Sequence, residues 1–105
     1  MSIESVKSAV LLNQHKFTIK FYEWVIANIH IYEYFEKSAM QVWRAGHKHY
    51  GARTIVEVMR HRTAIREIGN GEWKINNNYV PDMAVLYMEL HPEQDGFFQL
   101  KRKAA

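Results

Sequence analysis

The stretch RAGHKHYGARTIVEVMRHRTAIR, residues 44–66, decides how the rest of this 105-residue chain is read. It holds six of the fourteen Lys/Arg and three of the six His, against one acid, Glu57. Ala52, Ile55, Val56, Met59 and Thr63 recur at helical spacing, while Arg53, Arg60, His61 and Ala64 project elsewhere. The spacing predicts a basic rod with an apolar stripe. Just before it, residues 47–51, HKHYG, form a short polar connection, and Gly46 supplies a helix stop of the kind that needs positive φ.

Upstream, Ile31, Phe35, Ala39 and Val42, flanked by Tyr34, Ser38 and Trp43, make one stripe and predict a helix over Ile31–Ala45. Two helices joined by a tight turn flanked by glycines are the ingredients of a helix-turn-helix. Further out, Asn28 marks a cap or break, and Phe17, Phe21, Trp24 and Val25 predict a helix from Thr18 to Ala27. Ile3, Val6 and Val10 stand at near-helical spacing. Residues 1–17 therefore read as an N-terminal helix, or as an arm that orders on a partner.

Downstream, Gly69-Asn70-Gly71 ends the basic helix, and Glu72 to Ile75 reads as extended. The Asn76-Asn77-Asn78 run and Pro81 predict a turn and a helix start. That helix runs to Leu90 with Val80, Met83, Ala84, Tyr87 and Met88 inward, and His91-Pro92 ends it. Phe97, Phe98 and Leu100 read as a last extended piece, and residues 101–105 as a basic tail. Pairing 72–76 with 97–101 would give a short two-stranded β ribbon. The expected fold is a mainly α, compact single domain with a helix-turn-helix-like pair, a winged-helix-like α+β arrangement being the alternative.

Composition sets the outer bounds. A chain of this length makes one domain, and 48% hydrophobic with 13% aromatic residues describes a globular protein. The formal charge is only +3, so basic character acts through clustering. With no cysteine, disulfides and thiolate zinc sites are excluded. The apolar run Ala9–Leu12 is too short for a signal peptide or a span, which leads us to expect a soluble, cytoplasmic protein with no membrane contact.

The candidate binding residues are Lys48 and His49 in the connection, Arg53, Arg60, His61, Arg62 and Arg66 on the helix, and Asn77 in the Asn run. Several cations along a helix can neutralise phosphates, and Arg can read guanine edges while Asn pairs with adenine. The bland alternative is a solvated face ion-paired with Glu57, Glu67 or Glu72. Helical spacing also puts Arg62 and Arg66 nearer the apolar stripe than a plain DNA face requires. His47, His49 and His61 lack an acidic co-ligand at recognisable spacing and sit among cations, which opposes a metal site. Glu72-Trp73-Lys74 resembles the end of a nuclease strand, but no upstream carboxylate accompanies it. Neither a catalytic residue nor a cofactor is therefore assigned. The many aromatics, Tyr22, Trp24, Tyr32, Tyr34, Phe35, Trp43, Tyr50 and Trp73 among them, exceed what one small core absorbs, leaving room for a homo-oligomer or a protein partner.

Over residues 21–102 the chain resembles small proteins encoded by tailed phages and prophages. The likeness rests on Tyr50-Gly51-Ala52-Arg53, Lys74-Ile75-Asn76-Asn77-Asn78-Tyr79 and His91-Pro92 followed by Gly96-Phe97-Phe98. It departs at Ile29, where a helix-starting Pro is expected. The resemblance implies a phage origin and a host-cell cytoplasmic location, and carries no activity with it. Two functions are expected: an accessory protein that binds nucleic acid, DNA rather than RNA, through the basic helix; or an inhibitor of a host defence protein of the CRISPR or restriction type.

Overall fold

Thr18 shows how local signals set the element boundaries. Its hydroxyl accepts from the Phe21 amide at 3.1 Å, capping a helix that starts at Ile19. The computed structural model describes residues 3–66 and 77–99, with backbone alone at 63–66. Among these residues it contains five α-helices: α1 Ile3–Leu12, α2 Ile19–Ala27, α3 Ile29–Arg44, α4 Ala52–Arg66 and α5 Val80–Leu90. The protein is thus mainly α, as its periodicity predicts.

The first segment is a helix, α1, burying Val6 and Val10. Asn13 closes it by donating its side-chain amide to Ala9 O at 2.8 Å. Between α2 and α3 the break falls at Asn28, whose main-chain and side-chain N–H groups both bond Trp24 O at 2.9 Å. Its own carbonyl accepts from Ile31 at 2.9 Å, so one residue ends one helix and begins the next. This local economy lets α3 start at Ile29, ahead of the expected Ile31. The other end of α3 stops where glycine permits: Gly46 has φ +104°, and its N–H returns to Trp43 O at 3.0 Å.

The centre of the molecule is α5, and the basic helix packs against it. Val80 and the unbroken run Met83–Tyr87 are buried, because α1, α3 and α4 each pack against this helix. A helix enclosed on several sides buries more than one stripe. The expected inward set therefore gains Val85 and Leu86, while Met88 is only half-buried. Around α5, α3 contributes Ile31, Tyr32, Phe35 and Ala39, and α4 contributes Ile55, Val56 and Met59.

The expected β ribbon is not supported. Its first strand, 72–76, lies outside the described residues, as do Leu100 and the tail. Phe98 instead forms an isolated parallel bridge with Tyr50, and Tyr50 N–H donates to Phe97 O at 3.0 Å. No strand occurs among the described residues. Phe97 and Phe98 go to this position because their rings are needed in the core. Phe98 lies 5.5 Å from both the Phe35 and Tyr87 rings, and Phe97 meets Trp43 edge-on at 5.4 Å. The α3–α4 connection spans 45–51, longer than the three or four residues of a DNA-binding helix-turn-helix.

Candidate nucleic-acid interface

The expected site residues separate into three groups. At the α3–α4 turn, Lys48, His49 and Arg53 are exposed. The Lys48 ammonium sits 4.8 Å above the Trp43 ring, a cation–π contact that limits where the chain can swing. His49 Nδ1 lies 3.2 Å from Gly96 O. A carbonyl can only accept, so Nδ1 carries the proton and Nε2 faces outward as the second ring nitrogen. Arg53 leaves the first turn of α4, whose free N–H groups add partial positive charge.

A second pair, Arg60 and Asn77, is brought together and turned to structural use. Arg60 Nη1 lies 2.5 Å from Glu57 Oε1, and Nη2 donates to Asn77 Oδ1 at 2.8 Å. This clasp ties α4 to the Asn77–Tyr79 turn that leads into α5, and both side chains remain at the surface. Arg62, alone in the third group, turns toward α3. It lines an open cleft of ≈ 540 Å³ with Glu33, Tyr34, Lys37, Ser38 and Gln41. His61 is exposed between these groups, and the Arg66 side chain lies outside the described residues.

Two contributors were not expected: Arg44 and His47, both exposed and flanking the same turn. The signal for them is an absence. From Lys37 to Val56 the chain contains no Asp or Glu, so every ionisable acid nearby must come from elsewhere in the fold. Arg44, Lys48 and Arg53, with His47 and His49, are all exposed at or beside this turn, and each can meet an anion by charge and hydrogen bonding. His47 and His49 take separate partners, the Tyr50 ring at 5.6 Å and the Gly96 carbonyl. Among the described residues, no three His, Asp or Glu side chains converge where a metal ion could sit.

A polar cluster with a catalytic look lies where α3 meets the end of α5, within electrostatic reach of Arg44. His91 Nε2 is 2.9 Å from Glu36 Oε2, its Nδ1 is 3.5 Å from Glu93 Oε1, and its ring rests 4.5 Å from that of Tyr87. With a carboxylate on each nitrogen, no lone pair points at a substrate, and the cluster serves to fasten α5 to α3. Beneath it, Tyr87 donates to Gln94 Oε1 at 2.6 Å, and the polar Gln94 side chain is buried in this core. Burial pushes the Tyr87 hydroxyl up to about 12 against the pull of that hydrogen bond. Burial and the nearby Glu36 hold the Tyr32 hydroxyl well above its ordinary value.

Comparison with protein-family models, characterised proteins and solved structures finds no match to this chain. No helix among the described residues is long and apolar enough to cross a membrane.

Proposed function

We propose that this is a small accessory protein of phage type that binds nucleic acid, DNA rather than RNA, through phosphates held at the α3–α4 turn. The carrying observation is the acid-free segment Lys37–Val56, along which Arg44, Lys48 and Arg53 are each exposed at or beside the turn. Contacts of this kind give affinity by releasing counterions and carry little sequence information. The long connection argues against insertion of α4 as a standard recognition helix, and the Arg60–Asn77 clasp engages two of the expected readers with each other. We place the activity in the host cytoplasm, where the phage genome is exposed.

The test is fluorescence anisotropy of labelled DNA across a salt series. Affinity should fall by somewhat less than one power of salt for each phosphate contacted, and Lys48→Ala with Arg53→Ala should lower that slope by about two. A flat salt profile, or no binding at low salt, overturns this reading.

The second reading, an inhibitor of a host defence protein, draws on Val58. That side chain is 41% exposed on the same helix, and apolar surface among cations suits a protein partner with an acidic, partly apolar patch. Recovery of one stoichiometric host protein on the tagged chain, with no DNA affinity, would favour it.

A further inference from the structure

Resting on the phosphate-binding reading, we infer that His49 is a phosphate ligand that pH switches on, its ring held so that the titrating nitrogen faces away from the body. Two neighbouring bonds fasten the α3–α4 connection to the segment after α5. His49 Nδ1 donates to Gly96 O at 3.2 Å, and the Tyr50 N–H donates to Phe97 O at 3.0 Å. The receiving segment is itself anchored, because Phe97 and Phe98 are buried in the core. Gly96, at φ +83°, makes a turn there that other residues rarely adopt. The body of the protein thus orients the His49 ring, although the residue is exposed.

That bond decides where a second proton goes. A carbonyl only accepts, so Nδ1 keeps its proton in both charge states, and acid adds the new one at Nε2, across the ring from Gly96. Neutral His49 offers a lone pair at Nε2, which repels a phosphate oxygen. Charged His49 offers a donor and a full positive charge in the same direction, a charge-assisted contact. Histidine is the side chain that ordinarily changes charge between pH 5 and 8, so the change falls in an accessible range. His47 differs, since its ring stands edge-on to Tyr50 at 5.6 Å, a contact that selects neither nitrogen.

The charged and titratable neighbours set the sense of the coupling. His47, Lys48 and Tyr50 flank His49 on the connection, Arg44 ends α3, and Arg53 lies in the first turn of α4. These three cations oppose a further positive charge. Asp95, exposed next to Gly96, favours one, while Glu93 is engaged by His91. A phosphate held at the turn offsets the cations, so phosphate and proton each strengthen the binding of the other by the same factor.

The test is anisotropy of a labelled random-sequence duplex at about pH 8 and about pH 5.5, each across a salt series. Affinity of the parent should rise about tenfold on acidification, the gain from one charge-assisted contact. The salt slope should steepen by about one. His49→Gln keeps a side-chain donor for Gly96 O but cannot titrate, so it should lose most of this gain. His15→Gln, at an exposed site near the α1–α2 corner, should keep it. Independently of any variant, long-range proton–nitrogen spectra at about pH 8 should show His49 protonated at Nδ1. A ring protonated at Nε2 alone, a gain retained in His49→Gln, or no gain in the parent would each overturn the inference while the phosphate reading stands on its salt slope. Absence of DNA binding at both pH values overturns the two together.

Discussion

Two buried tyrosines with opposite hydrogen-bond situations separate packing from polarity at the scale of single residues. Tyr87 donates to buried Gln94, whereas the Tyr32 hydroxyl is buried with no hydrogen-bond partner among the described residues. Tyr87→Phe orphans a buried amide oxygen and should cost about 1–3 kcal/mol in urea denaturation. Tyr32→Phe removes an unpaired hydroxyl and keeps the ring, so stability should hold or rise. Equal losses in the two variants would show that the hydroxyls play the same part. Both phenols also predict alkaline sensitivity. Tyr87 releases its proton near 10 when unfolded but near 12 when folded, so its contribution is complete below pH 10 and is lost as pH rises through 12. The urea midpoint should therefore drop above pH 10, and Tyr87→Phe should flatten that drop. Arg60 and Arg53 make a second contrast. Arg60→Ala breaks the tie to Glu57 and Asn77, costing about 1 kcal/mol of stability with DNA affinity retained. Arg53→Ala should do the reverse, and an unchanged affinity there would remove Arg53 from the interface.

Elements differ in how much of the molecule depends on them. Leu86 and Phe35 are fully buried where α5 meets its neighbours, so Leu86→Ala should cost about 2–5 kcal/mol and Phe35→Ala about 3–5 kcal/mol. A change within error for either would mean that α5 is not the central support. The α3–α4 connection is set by its own geometry: Gly46 at φ +104° has open space around it, so Gly46→Ala meets strain in the backbone alone. A loss of about 1 kcal/mol is expected in thermal unfolding, with weakened DNA binding because Lys48 and His49 hang from that turn. His91 clamps the far side of α5, joining Glu36 of α3 to Glu93. Lys16 and Glu89 form a further ion pair between the α1–α2 connection and α5, so the same helix is fastened at several points along its length.

For the molecule as a whole, the surface has two regions of different character. The α3–α4 end is cationic, while at the α1–α2 corner Leu12 and Ile19 are 82% and 76% exposed. Large apolar side chains so open to water favour association when concentrated. Leu12→Gln with Ile19→Gln should leave the melting temperature nearly unchanged and lower self-association in sedimentation. An unchanged sedimentation profile would show that this corner is inert. By itself the sequence determined what depends on neighbours a few residues away. Thr18 caps α2, Asn28 separates two helices, Gly46 ends α3, and the stripe Ile31, Phe35, Ala39 faces inward, because helical spacing and capping bonds act within one turn. The helical class was legible for the same reason, while the sequence placed the cations on a basic helix with only Lys48 and His49 in the connection before it. The tertiary structure alone decided that α5 is central, that Phe98 joins Tyr50, and that Arg60 is clasped while Arg62 lines a groove. An arginine is free or engaged according to groups such as Asn77, seventeen residues on, and helical periodicity carries no information about contacts at that range.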